Sequence, residues 1–183
     1  MVEGFESVSL GGFLDALAAR SPAPGGGAAA AVTVALAAGL VSMAAGYSDE
    51  LPDHLAARAR RQQARATALA DEDASAYAGV LAARSSGDAG ALRDAWRRAV
   101  EVPLEISKCG VLTAQDAVLV AECGPASEHG DAVVGAVLAE AAVRAAVRLV
   151  RINVADADED PEYLTEASAL AEEAAAAVHR LQE

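Results

Sequence analysis

Apolar side chains recur every three to four residues along most of the chain, which is the spacing of one face of an α-helix. Residues 28–45 depart from this pattern because they are apolar on every side, which predicts a central helix with almost no exposed surface. The predicted helices are Ser9–Arg20, Ala28–Ala45, Asp53–Arg84, Ala91–Glu122 with a kink at Pro103, Asp131–Asn153 and Pro161–Leu181. We therefore predict an all-α protein, a compact up-and-down helical bundle forming one domain over residues 1–183.

The composition indicates tight packing. Hydrophobic residues make up 54% of the chain and aromatic residues 3%, so small aliphatic side chains must fill the core, and alanine lets helices approach closely. Alanine-rich faces on long helices also favour contact between copies of the chain, most simply in a two-fold homodimer. The net charge of −13 disfavours nucleic acid as a partner, because phosphates would be repelled.

The run Gly25–Gly46 is long enough to cross a bilayer. It consists mainly of small residues and contains Thr33 and Ser42, which favours a buried helix over a membrane span. The N-terminus also lacks the basic and then apolar segments of a secretory signal. We expect a cytoplasmic protein without membrane contact.

The segment PAPGGG, residues 22–27, precedes this apolar helix. Three consecutive glycines suggest a backbone conformation that most residues disfavour, or a close approach of another group. A helix N-terminus offers free N–H groups and the positive end of the helix dipole. The segment is interpreted either as a ligand-binding loop or as a tight turn that lets the helix pack closely.

The segment DEDASAY, residues 71–77, places three acidic residues within a predicted helix. At about 100° per residue, Asp73 shares the apolar stripe with Leu69 and Tyr77, whereas Asp71 points away from it. A carboxylate on a core-facing stripe is unfavourable unless it is paired or functional. Asp73 is therefore either a buried acid paired with an arginine or a catalytic group.

Other polar residues are less informative by themselves. Asp131 at a helix start is typical of an N-cap, Arg151 belongs to a row of arginines on a solvated face, and Asn153 near a helix end is typical of a C-cap. Cys109 and Cys123 have neither zinc-site nor disulfide spacing, and no metal site is predicted.

Several stretches together resemble the formiminotetrahydrofolate cyclodeaminase and methenyltetrahydrofolate cyclohydrolase family. They are FLDALAARSPAPGGGAAAA leading into GLVSMAAGYS, then DEDASAY, EVPLEI at 101–106 and GDAVVGAVLAEAAVRAAVRLVRIN at 130–153. They occur in the family's order and cover nearly the whole chain. The resemblance implies an all-helical dimer that binds a one-carbon tetrahydrofolate as its substrate and has no metal or prosthetic group.

The resemblance also assigns roles to residues of this sequence. It implies that Asp73 is the catalytic acid, with Asp71 as the second choice. The remaining residues expected at the folate are Pro24, Gly25, Gly26, Gly27, Asp131, Arg151 and Asn153.

The resemblance implies one of two reactions. A cyclodeaminase closes a ring by attack of a folate nitrogen on a formimino carbon and releases ammonia, whereas a cyclohydrolase adds water to a cationic methenyl bridge. The chain departs from the family at residues 123–130, which read CGPASEHG, at Ala28, where serine is common, and at Leu149, where asparagine is expected. The altered loop at 123–130 motivates one alternative, a folate-binding paralogue that has lost catalysis. A helical oligomerisation module is a third possibility.

Overall fold

The computed structural model describes residues 4–48, 51–52, 54–157 and 161–181. A 3₁₀ turn, Phe5–Ser7, precedes six α-helices, and the described residues contain no β-strand. The helices are α1 Leu10–Ala18, α2 Gly26–Ala45, α3 His54–Ser86, α4 Ala89–Cys123, α5 His129–Ala157 and α6 Glu162–His179. The all-α prediction is confirmed. The predicted start of α3, Asp53, lies outside the described residues.

Successive long helices run antiparallel. The start of α2 lies beside the second half of α3, where the Ala28 N–H donates a hydrogen bond to the Asp73 carboxylate. The end of α2 lies beside the start of α3, where the Ser42 hydroxyl donates to the Ala56 carbonyl. Hydrogen bonds between opposite ends of α3 and α4, and of α4 and α5, show that these pairs are antiparallel too. Helix α6 packs against both α4 and α5. These pairings give the up-and-down arrangement expected from short connections.

Helix α2 contacts α3, α4 and α5, and twelve of its residues are buried. It is also the one helix of the described ranges that is long and apolar enough to cross a bilayer. One stripe of α2 nevertheless remains open, because the side chains of Leu36 and Met43 are 56% and 37% exposed. In the single chain, α2 therefore lacks the complete burial that its all-apolar sequence predicts.

Close helix contact depends on small residues. A Cβ at Gly110 of α4 would lie 2.6 Å from Cγ2 of Val143 in α5 and 3.4 Å from Cγ2 of Val34 in α2. Val143 and Val34 are fully buried, and their β-branched side chains are stiff. Glycine at this position is what lets α2, α4 and α5 meet at one point.

A buried ion pair links α3 to α4. Asp116 is 3% exposed and accepts from the Arg58 guanidinium through both oxygens, with an Nε to Oδ2 distance of 2.9 Å. Gln62 Nε2 donates to the same Oδ2 at 3.1 Å. Because Arg58 is partly exposed and Asp116 is not, loss of Arg58 would leave the Asp116 charge in the interior without a cation. The buried acid paired with an arginine is therefore Asp116, which the sequence pattern did not identify.

Candidate functional site

A cleft of about 260 Å³ opens where the N-terminus of α2 faces α3, α4 and the C-terminal part of α5. It is lined by Pro22, Ala23, Gly25, Gly26, Gly27, Asp73, Ala74, Ala76, Tyr77, Ala99, Leu149 and Asn153. The cleft brings together the PAPGGG segment, the DEDASAY segment and the end of VRIN, which are far apart in the sequence.

Asp73 is the acidic residue of this cleft. Its Oδ2 accepts a hydrogen bond from the backbone N–H of Ala28 at 3.0 Å. Helix α2 begins after Gly25, which has no side chain to cap it, and Ala28 is the third residue of the helix. A carboxylate that accepts from this N–H does the work of an N-cap, supplied here by another helix.

Burial raises the pKa of Asp73, and the hydrogen bond from the Ala28 N–H opposes this with a smaller lowering effect. No cation of the described chain pairs with the carboxylate. The group therefore differs from Asp116, which has a guanidinium partner. A half-buried carboxyl group with a raised pKa and an open side toward a cleft is a candidate to accept and donate a proton.

The three glycines at the start of α2 do not serve an unusual backbone conformation. Gly25 has a φ of −130°, and among the described glycines only Gly87 has a positive φ. Space explains Gly27 instead, because a Cβ there would overlap the carboxylate of Asp73. At Gly26, the nearest side chain to an added Cβ is Leu149, at 3.9 Å. The close approach predicted from the sequence exists, and the approaching group is the protein's own carboxylate.

The neighbouring acidic residues point elsewhere. Asp71 Oδ1 accepts from the Phe5 N–H at 2.8 Å and so fixes the 3₁₀ turn at the start of the described chain. Glu72 pairs with Arg65 and Arg98 on the surface. Of the three acidic residues in this segment, Asp73 is the one that lines the cleft.

Asn153 reaches the opposite wall of the cleft. Its Nδ2 donates to the backbone carbonyl of Ala99 at 2.6 Å, which joins α5 to α4. Helix α5 continues to Ala157, about one turn further, so Asn153 does not cap its end. Tyr77 and Leu149 contribute the larger apolar surfaces of the cleft.

The other predicted binding residues lie at different distances from the cleft. Pro24 is buried next to it, after a cis peptide bond from Ala23. Arg151 is exposed and donates to Ser168 of α6 at 3.3 Å. Asp131 is in the first turn of α5, about 33 Å along the helix from Asn153. Within one chain, Asp131 and Arg151 do not line this cleft.

The raised pKa of Asp73 predicts a pH-dependent effect of Asp73→Asn. The folded state holds this proton more tightly than the unfolded chain, so the wild-type protein loses stability as the pH rises through the raised pKa. The asparagine does not titrate and keeps an oxygen for the Ala28 N–H. We expect its melting temperature at pH 7 to equal or exceed that of the wild type, with the difference shrinking below about pH 4.

Thermal melts between about pH 3.5 and 7.5 test this expectation. Asp71→Asn is the matched control for removing a charge from the same helix. A clear drop in melting temperature for Asp73→Asn at pH 7 would instead show that the charged carboxylate stabilises the fold.

The contrast between Gly27 and Gly26 predicts opposite effects of alanine. Gly27→Ala must displace the Asp73 carboxylate from the Ala28 N–H, and loss of an N-cap costs about 0.5–2 kcal/mol of unfolding free energy. Gly26→Ala, which meets no close neighbour, should be neutral or stabilising. Urea unfolding of the two variants measures the difference. Equal stabilities would contradict the steric role of Gly27.

Comparison with known proteins places the chain in a family. A family model described as formiminotransferase-cyclodeaminase matches residues 9–173. The chain is 35% identical over 170 residues to the formimidoyltransferase-cyclodeaminase of Mus musculus, covering 83% of this chain and 31% of the mouse protein. It thus spans less than a third of that relative. It is also 29% identical over 192 residues to the methenyltetrahydrofolate cyclohydrolase of Methylorubrum extorquens, covering 93% of this chain and 92% of that protein.

The fold agrees with this assignment. The crystal structure of formiminotetrahydrofolate cyclodeaminase from Thermotoga maritima matches with a TM-score of 0.80 at 26% identity, over 95% of this chain and 91% of that one. The resemblance read from the sequence motifs is confirmed by these relatives. The chain belongs to the formiminotransferase-cyclodeaminase family.

Proposed function

We propose that this chain is an enzyme acting on a one-carbon derivative of tetrahydrofolate, with Asp73 as its general acid and base. The observation that carries the proposal is the Asp73 carboxyl group itself: it lines the cleft, has a raised pKa, and is fixed by the Ala28 N–H without a neutralising cation. The relatives are named as a cyclodeaminase and a cyclohydrolase, which supports a substrate of this class.

The two reactions need the same protein group. In ring closure, a folate nitrogen bonds to the formimino carbon, and the resulting tetrahedral carbon expels its amino group as ammonia after that group gains a proton. In hydrolysis, water adds to the cationic methenyl carbon and gives up a proton, and one carbon–nitrogen bond then breaks. A single carboxyl group can supply the proton in the first case, accept it in the second, and as a carboxylate stabilise the positive charge of the bridge.

The rest of the cleft supports binding. Gly25 and Gly26 leave the backbone at the start of α2 open toward the ligand, Gly27 makes room for the Asp73 carboxylate, and Pro24 is buried beside them. Because the Asp73 carboxylate already lies at this helix terminus, the terminus is better suited to a cationic one-carbon bridge than to an anionic group. Asn153 supplies a polar group on the facing wall.

Asp131 fits the proposal through a dimer. Leu36 and Met43 leave a stripe of α2 open, and Val134 and Val137 of α5, a helix packed against α2, are also 49% and 48% exposed. Helix α5 runs antiparallel to α2, so its first turn lies near the end of α2, away from the cleft. A two-fold axis perpendicular to α2 exchanges these ends and brings Asp131 of the second copy toward the cleft of the first.

Turnover is the direct test of Asp73. Asp73→Asn keeps the shape and the acceptor for Ala28 but cannot exchange a proton, so we expect turnover to fall about 10²–10⁴-fold with a much smaller loss of folate binding. Both ammonia-releasing ring closure and methenyl hydrolysis are followed by the absorbance of methenyl-tetrahydrofolate.

The control is Asp71→Asn, which should retain most of the turnover because Asp71 bonds Phe5 outside the cleft. Undiminished turnover in Asp73→Asn would refute the catalytic assignment. Folate binding by the wild type without turnover in either assay would favour the alternative of a non-catalytic folate-binding paralogue, and absence of both would favour an oligomerisation module.

The dimer has its own test. Leu36→Asp places a charge on the open stripe of α2, where the native side chain is 56% exposed, so the monomer should still fold. We expect light scattering to report a dimer for the wild type and an 18.4 kDa monomer for the variant. A wild-type monomer at micromolar concentration would contradict the dimer. The cytoplasmic location and the absence of a prosthetic group stay predictions.

A further inference from the structure

Pro103 leaves a backbone carbonyl of α4 without its usual partner. Proline has no N–H, so inside a helix it cannot donate to the carbonyl four residues earlier. In α4, which continues through Pro103 from Ala89 to Cys123, that carbonyl belongs to Ala99. Ala99 is only 6% exposed, so its carbonyl needs a partner within the protein.

Asn153 supplies the missing donor from another helix. Its Nδ2 lies 2.6 Å from the Ala99 oxygen and takes the place of the absent N–H of residue 103. The bond also fixes which way the amide faces, because the NH₂ end must be turned toward α4. The Oδ1 end is then the acceptor that Asn153 can offer to a ligand in the cleft.

We propose that Pro103 is a positioning residue for ligand binding. By freeing the Ala99 carbonyl, it holds the Asn153 amide in one orientation, with Oδ1 available to accept from an N–H of the reduced pteridine ring. The ligand part of this inference rests on the proposed function. The link between Pro103 and Asn153 does not, since it is a property of the ligand-free chain.

Pro103→Ala separates this role from a purely structural one. The alanine N–H can bond to Ala99 within α4, and alanine is a far better helix-interior residue than proline, so the variant should melt at an equal or higher temperature. The Asn153 amide then competes with a backbone N–H for the Ala99 oxygen and is no longer held in one orientation. We expect the Kd for tetrahydrofolate to rise about tenfold, as for the loss of one hydrogen bond, with kcat changed much less than KM.

The experiment compares the full-length wild type, Pro103→Ala, Asn153→Ala and the double variant. Tetrahydrofolate binding is measured by calorimetry, and melting is measured without ligand. Pro161→Ala, at the exposed start of α6 and outside the cleft, is the matched proline control and should bind like the wild type.

The proposal predicts non-additive effects. The double variant should bind tetrahydrofolate no more weakly than whichever single variant has the higher Kd. Asn153→Ala should lower the melting temperature of the wild type but not that of Pro103→Ala. Additive losses of affinity, or unchanged affinity in Pro103→Ala, would overturn the positioning role. If even the wild type does not bind tetrahydrofolate, the proposed function and the ligand part fail together, while the melting cycle still decides whether Pro103 and Asn153 are coupled.

Discussion

The hydrogen bond between the Ala28 N–H and the Asp73 carboxylate is the interaction on which the cleft depends. The central helix begins at a glycine that cannot cap it, so its first turn relies on a side chain from α3. The same carboxylate is the proposed proton-transfer group. One hydrogen bond thus holds the start of α2 and the proposed proton-transfer group together, which is the preorganisation that acid–base chemistry requires.

The two walls of the cleft follow one physical rule. In each wall, a helix has a backbone group that its own hydrogen bonds leave unsatisfied: an N–H at the start of α2, and the Ala99 carbonyl opposite Pro103 in α4. A side chain from the next helix in the chain satisfies each of them, Asp73 from α3 and Asn153 from α5. Buried backbone groups demand such partners. Asp73 and Asn153 are thus held in place by backbone groups that have no partner within their own helices.

Helical periodicity predicted the fold, because a period near 3.6 residues shows which side of a helix is buried, whereas most of the cleft residues came from the family resemblance. The periodicity placed Asp73 and Asp71 on different faces of α3, and in the structure Asp73 lines the cleft while Asp71 accepts a hydrogen bond from the Phe5 N–H. Contacts between distant segments have no such signature. The pairing of Asp116 with Arg58 and the bond from Asn153 to Ala99 appear only when the helices are packed. The open stripe of α2 was missed because an all-apolar sequence does not reveal which side lacks a neighbour.

The overlap between a Cβ at position 27 and the carboxylate at position 73 also constrains how such chains can diverge. As long as the acid is kept in this position, residue 27 must remain glycine. A lineage that replaced the acid by a small side chain would release that restriction, and alanine, a better helix former than glycine, would become acceptable there. A residue other than glycine at position 27 therefore indicates that a related chain no longer holds a carboxylate against the start of the central helix.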